Sequence, residues 1–222
     1  MKTEVVGLIP VKANSERVKR KNLRKFHNTN LFELKLQQLK KTKKFDRIIV
    51  SSENEDILKT AEKNGFDIHF RDPYYSTNTV PMSEVYSYIA SEIQADHIAW
   101  INVTNPLAGS KIYDRAIELY KRMNKKYDCL LSACYIQENF FYKNKPVNFK
   151  PYPWPRSQDL KGLISLPFVI SILKRKKLEQ RGSLVGNKPF FYILNPIVAK
   201  DIDNQDDFDF CEYFFKKNKK LI

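Results

Sequence analysis

Val5-Val6-Gly7-Leu8-Ile9-Pro10, running straight into Val11-Lys12-Ala13-Asn14-Ser15-Glu16-Arg17-Val18-Lys19-Arg20-Lys21-Asn22, is the stretch that decides the fold. The apolar, β-branched run reads as a first core strand. The polar segment after it carries five cations where a strand-to-helix loop opens the active crevice of an α/β sheet. Backbone N–H groups and the small side chains of Ala13, Asn14 and Ser15 suit phosphate oxygens, and Lys12 and Lys21 supply the neutralising charge. The loop matches neither G-x-x-x-x-G-K-[ST] nor G-x-G-x-x-G, so P-loop and dinucleotide-binding readings fail on the pattern. A solvated basic loop is the plain alternative.

Outward from this stretch, apolar runs recur at 47–51, 97–103, 129–135 and 190–198, and amphipathic segments separate the first four runs. Leu31, Leu34 and Leu39 share one helix side; Ile57, Leu58 and Ala61 share another, with Gly65 placed to end that helix. Val85, Ile89 and Ile93, then Ile112, Ala116 and Tyr120, follow at i, i+4 spacing. Alternation of this kind predicts right-handed βαβ units, hence a three-layer α/β/α fold on a mostly parallel twisted sheet spanning 1–222 as one domain. Aromatics and prolines break the rhythm at 137–165, which reads as an excursion from the sheet, either a lid or a partner-subunit surface.

Composition narrows the function classes. No apolar run approaches the roughly 20 residues needed to cross a bilayer. The opening residues lack the apolar core and cleavage site of a secretion signal. Cys129, Cys134 and Cys211 have no CxxC spacing, and His27, His69 and His97 lie far apart, so neither a disulfide framework nor a zinc site is predicted and a cytoplasmic protein is expected. The formal charge of +14 attracts nucleic acid, anionic membrane or a polyanionic small substrate alike, and the local clusters must choose among them.

Near the other end, Asp201-Ile202-Asp203 is expected to close the strand at 190–198, and carboxylates two apart on extended chain face one side. Such a sparse pair suits Mg²⁺ (or Mn²⁺), which takes one or two carboxylates and fills its octahedron with water and phosphate. The alternative is that Asp203 or Asn204 caps the following helix, with Asp206 and Asp207 in its first turn.

The loop resembles the I-P-A-R-x-x-S-K-R-x-x-x-K-N signature of the CMP-sialic acid synthetase family, the acylneuraminate cytidylyltransferases, through Ile9, Pro10, Ser15, Lys21 and Asn22. The resemblance continues in Val50-Ser51-Ser52-Glu53-Asn54-Glu55-Asp56-Ile57, in Arg71 with Ser76, in Asn102-Val103-Thr104-Asn105-Pro106-Leu107, in Arg156-Ser157-Gln158-Asp159-Leu160, and in Asp201-Ile202-Asp203-Asn204-Gln205-Asp206-Asp207-Phe208. These six ordered blocks span nearly the whole chain.

The resemblance implies a Rossmann-like nucleotidyltransferase that moves CMP from CTP to an acidic sugar and releases pyrophosphate. Pro10, Lys12, Ala13, Asn14, Ser15, Arg17, Lys21, Asn22, Arg71 and Ser83 would hold the nucleotide. Asn102, Thr104, Asn105, Arg156, Gln158 and Ser165 would face the acceptor. Lys21, Asp201 and Asp203 would be catalytic, the two aspartates as metal ligands, and the excursion at 137–165 would meet a second subunit in a homodimer. Departures from the family pattern are Lys12 for arginine, Glu16 for lysine, Asn78 for aspartate and Asn102 for glutamine. Lysine keeps the charge of arginine and loses its bidentate fork.

The acceptor classes left open are a nonulosonic acid (sialic, legionaminic or pseudaminic), a Kdo-like eight-carbon acid and a phosphorylated small molecule; an inactive nucleotide-binding paralogue is the further alternative. Two outside readings are a glycosyltransferase using its Asp-x-Asp pair with a nucleotide-sugar donor, and a nucleic-acid-binding protein built on the charge and on the aromatics at 152–154. The second lacks a stacking platform or groove-reading helix, so no nucleic-acid partner and no membrane partner is expected.

Overall fold

The computed structural model describes residues 4–15, 18–123 and 126–218 of the chain. The opening apolar run forms β1 (Val5–Pro10), whose side chains alternate between two cores: Val5 and Ile9 face one, Val6 and Leu8 the other. Burial on both faces is why the run is continuously apolar. A small hairpin of β2 (Lys25–Phe26) and β3 (Thr29–Asn30) follows, then α1 (Leu31–Leu39), β4 (Arg47–Ser52), α2 (Glu55–Lys63), β5 (Asp67–Phe70), α3 (Met82–Glu92), β6 (His97–Ile101) and α4 (Ser110–Arg122). The second half supplies β7 (Cys129–Ile136), the hairpin of β8 (Phe141–Tyr142) and β9 (Lys145–Pro146), β10 (Leu163–Ser165), β11 (Ile170–Lys174), α5 (Arg175–Arg181), β12 (Pro189–Ile193) and α6 (Gln205–Lys217).

The main sheet has eight strands in the order β10-β7-β11-β6-β1-β4-β5, with β12 also paired to β7. β5, β4, β1 and β6 are parallel neighbours, β12 is parallel to β7, and β11 runs antiparallel between β6 and β7. Helices α1, α2, α4 and α6 pack on one face and α3 and α5 on the other, the three-layer arrangement that the alternation predicts. Register aligns the carboxyl ends that matter: Pro10 lies opposite Ser51 and Leu8 opposite Trp100, so the loops after β1, β4 and β6 emerge side by side.

Helix ends follow local chemistry. Asn30 and Asn54 accept the Glu33 and Ile57 N–H groups, and Asn204 and Asp207 form a reciprocal capping box on α6. Each such cap is worth about 1 kcal/mol. Gly65, at φ +80°, follows α2 in the left-handed conformation that glycine tolerates.

Several expectations need correction. The run at 190–198 is strand only to Ile193; Pro196 has no N–H to offer a ladder, and the chain turns through Ala199 N–H to Asn195 O and Lys200 N–H to Ile197 O. Asp201, Ile202 and Asp203 therefore lie on a connection beyond the strand, not at its end. The run at 97–103 leaves the sheet at Ile101. β5, β10, β11 and α5 were not anticipated, because each is short; β10 lies within the stretch at 137–165 and pairs with β7, so the excursion rejoins the sheet before its expected end.

Candidate active site

The β1 loop folds over the carboxyl edge of the sheet and is pinned from several sides. Val11 N–H donates to Ser51 O at 2.9 Å, continuing the β1–β4 ladder by one residue. Ala13 N–H donates to Glu53 Oε1 at 2.9 Å, and Lys12 Nζ reaches across to Thr77 O at 3.1 Å. Within the loop, Ser15 Oγ donates to Val18 O and accepts the Lys21 N–H, while Asn22 Nδ2 donates to Lys12 O at 3.0 Å. Ser15 and Ala13 thus hold the loop in shape, and the Ala13 N–H that the sequence offered to phosphate is already used.

Arg71, just past β5, is 1% exposed and still lines the cleft. Its Nη2 donates to Val11 O and to Glu53 Oε2, both at 2.8 Å, and its Nε donates to Ser76 Oγ at 2.9 Å. Burial pushes the Glu53 carboxyl up, but hydrogen bonds from Ala13, Arg71 and Ser76 outweigh it and leave the group below its ordinary range.

Opposite, Lys21 Nζ is buried and donates to the Ile202 carbonyl, tying the first loop to the connection that carries both aspartates. Ile202 N–H donates to Thr104 O at 3.0 Å, which sets that connection against the turn after β6. Burial raises the Asp201 carboxyl above its ordinary range, and Asp203 adds to this, whereas a Thr104 hydrogen bond and the Lys21 charge oppose it. Asp201 Oδ1 is buried with no hydrogen-bond partner among the described residues, and so is Asn22 Oδ1. Buried acceptors left open in this way are uncommon and point to a missing donor or cation.

Buried polar side chains hold the turn after β6 from beneath. Asn105, fully buried, donates through Nδ2 to Pro167 O and Ala199 O, and its own carbonyl accepts Lys35 Nζ at 2.9 Å. Gln38 Nε2 holds Pro106 O at 2.7 Å. Lys35, on α1 and wholly enclosed, also meets Tyr113 Oη at 2.5 Å, and burial pushes its ammonium down to about 7. The unfolded chain holds that proton up to about pH 10 and the native chain releases it near 7, so stability rises with pH across this window, by at most about 1.4 kcal/mol per unit. Urea unfolding of the native chain at about pH 7 and about pH 9 is expected to show this rise and Lys35→Met to lack it; parallel pH dependences would place the Lys35 proton elsewhere.

The structure gathers half of the residues named from sequence into one cleft of about 350 Å³. Pro10, Lys12, Asn14, Ser15, Lys21, Asn22, Arg71, Asn102 and Thr104 line it. Asp201 and Asp203 stand beside it through the Lys21 and Thr104 contacts. Others lie elsewhere. Ser83 is not in the lining: α5 ends at Gly182, where an added Cβ would come within 2.5 Å of the Ser83 carbonyl, so Ser83 belongs to a helix junction. Arg156 pairs with Asp159 on the exposed excursion, Gln158 is exposed beside it, and Ser165 sits on β10 opposite Cys134. Asn105 acts beneath the cleft. Arg17 and Glu16 lie outside the described residues. Sequence reasoning missed the apolar wall of Met82, Val85 and Tyr86 on α3, whose i, i+3, i+4 spacing reads equally as core, together with Trp100 on β6.

A family model described as cytidylyltransferase matches residues 6–149. The chain belongs to the cytidylyltransferase family. This cytidylyltransferase is 25% identical to the post-translational flagellin modification protein B of Campylobacter coli, over 97% of this chain and 96% of that protein. It is 25% identical to the pseudaminic acid cytidylyltransferase of Campylobacter jejuni, over 95% of this chain and 96% of that one. Among solved structures it resembles a CMP:2-keto-3-deoxy-manno-octonic acid synthetase in complex with CTP, with a TM-score of 0.71 at 10% identity, covering 97% of this chain and 100% of the other. That likeness is one of fold. As a cytidylyltransferase the chain is a CTP-dependent nucleotidyltransferase, and no helix among its described residues is long and apolar enough to cross a membrane.

Proposed function

We propose that this cytidylyltransferase transfers CMP from CTP to a hydroxyl of an acidic nine-carbon sugar, a nonulosonic acid, and releases pyrophosphate. The observation that carries the reading is Lys21: it lines the cleft and reaches from the cation-rich loop to the connection bearing Asp201 and Asp203, so the acidic pair stands directly beside the cations of the cleft. Relatives named for sialic, pseudaminic and legionaminic acid chemistry support the acceptor class.

In the reaction the acceptor oxygen bonds to the α-phosphorus, the bond from that phosphorus to the pyrophosphate oxygen breaks in line, and the hydroxyl proton is released. Lys12 and Lys21 hold phosphate charge, Asn22 Oδ1 offers an acceptor to a sugar hydroxyl of the nucleotide, and Asn102 and Thr104 orient the acceptor. Mg²⁺ (or Mn²⁺) fits the donor set: Asp201 Oδ1 is an open buried acceptor, Asp203 is two residues away, and a hard cation takes one or two carboxylates. Held by Asp201 and Asp203, the ion would neutralise phosphate charge. The rest of catalysis is alignment, for which about 7 to 11 kcal/mol is available in well-oriented groups.

A homodimer belongs to the same reading. The excursion at 137–165 exposes Phe141, Tyr142, Tyr152 and Trp154, with Phe149 bridging Phe141 and Trp154 by edge contacts, and exposed aromatics gathered in this way mark a surface that a partner covers. Sedimentation is expected to give twice the chain mass for the native protein and the single mass for Trp154→Glu; a monomeric native protein would remove the subunit contact.

The acceptor is tested by pyrophosphate release from CTP with sialic, legionaminic, pseudaminic and Kdo-like acids and a phosphorylated alcohol. Release with a nonulosonic acid is expected. Release with only the eight-carbon acid or the phosphorylated alcohol would move the acceptor class, and none at all despite CTP binding would make the chain an inactive relative.

A further inference from the structure

Resting on the CTP site proposed above, we propose that Glu53 is a positioning residue for nucleotide binding, which fixes the Arg71 guanidinium and the first-loop backbone in one arrangement before the nucleotide arrives. One carboxylate ties three segments together. Its Oε1 holds the Ala13 N–H of the β1 loop, and its Oε2 accepts from Arg71 Nη2 and from Ser76 Oγ, which in turn accepts the Arg71 Nε–H. Arg71 Nη2 also donates to Val11 O, so the guanidinium plane is held on two sides.

What this clamp leaves over is informative. Arg71 is 1% exposed, lines the cleft, and its Nη1 has no partner among the described residues. A buried ion pair kept only for packing is a poor bargain against apolar side chains of the same volume. Here the pair holds a rigid donor edge toward the cleft, and the Glu53 charge offsets that of Arg71, so Arg71 serves as a directed hydrogen-bond donor more than as a general attractor of anions. Glu53 itself is not among the lining residues and acts through Arg71 and Ala13.

The test measures the dissociation constant of CTP by calorimetry, without acceptor, for the native chain, Glu53→Gln, Ser76→Ala, Arg71→Gln and the double variant Glu53→Gln/Arg71→Gln, with a thermal melt of each. Glu53→Gln keeps shape and loses charge, and is expected to weaken CTP binding about tenfold or more. Ser76→Ala, which leaves the ion pair in place, is expected to shift it the same way by less. In the Arg71→Gln background the Glu53 change should add less than about twofold, the non-additivity of groups acting as one unit. Native-like CTP binding by Glu53→Gln, or equal losses with and without Arg71, would overturn the positioning role. A native chain that binds no CTP would instead overturn the nucleotide site on which the role rests.

Discussion

Asp201→Asn is expected to lower turnover by about 1,000-fold or more, near 4 kcal/mol of transition-state stabilisation, while melting no lower than the native chain. The two halves of this result have one cause. Asp201 sits where burial and the neighbouring Asp203 hold its carboxyl above the ordinary range, and Thr104 and Lys21 only partly oppose them. A carboxyl whose native value lies above the unfolded one contributes negatively to stability once pH exceeds both, because the ionised form is held less well in the fold than in water. Asparagine removes that charge at almost constant shape, so stability is kept or gained. The open Oδ1 atom loses its charge at the same time, and the carboxylate's part in phosphate chemistry goes with it. Pyrophosphate release read beside a thermal melt checks both halves. Retained activity would take Asp201 out of the machinery; lost activity with a much lower melting point would make it a structural residue.

Lys21→Met is expected to cost about 100- to 1,000-fold in turnover, the range for removing one preorganised donor from a transition-state site. Lys21 differs from the surface cations of the loop: it is 9% exposed, and Lys19 and Arg20 beside it are open to solvent. Its replacement also leaves the buried Ile202 carbonyl without that donor and takes away a charge that lowers the Asp201 carboxyl. The acid side of the pH–rate profile should therefore move to higher pH in the variant. A loss of rate with no such movement would separate Lys21 from Asp201.

Legibility from sequence divided along physical lines. β1, β4, β6 and β7 are mostly buried on both faces, so each shows as a short, largely apolar run that stands out from the amphipathic segments between them. β11 is as deeply buried but spans only Ile170–Lys174 after a proline-rich stretch, and its antiparallel direction depends on partners 40 and more residues away. Lys12, Lys21 and Asn22 share one continuous loop and one cleft, so their proximity was readable because sequence neighbours stay neighbours there. Glu53 was visible only as one letter of a motif: its role comes from Ala13, 40 residues earlier, and Arg71, 18 residues later. Ser83 abuts Gly182 at the end of α5 while its neighbours Met82, Val85 and Tyr86 line the cleft, a placement that depends on an α3–α5 contact no local spacing shows.

The central claim is that one cleft joins the α-phosphoryl of CTP to an acidic sugar, and label partition tests it most directly. With Mg²⁺ and a nonulosonic acid, CTP labelled at the α-phosphorus should pass its label into the sugar product, and CTP labelled at the γ-phosphorus should pass it into pyrophosphate; ATP, GTP and UTP should do neither. Label from the α-position found only in free CMP, or transfer that requires a nucleotide-sugar donor in place of CTP, would contradict the account.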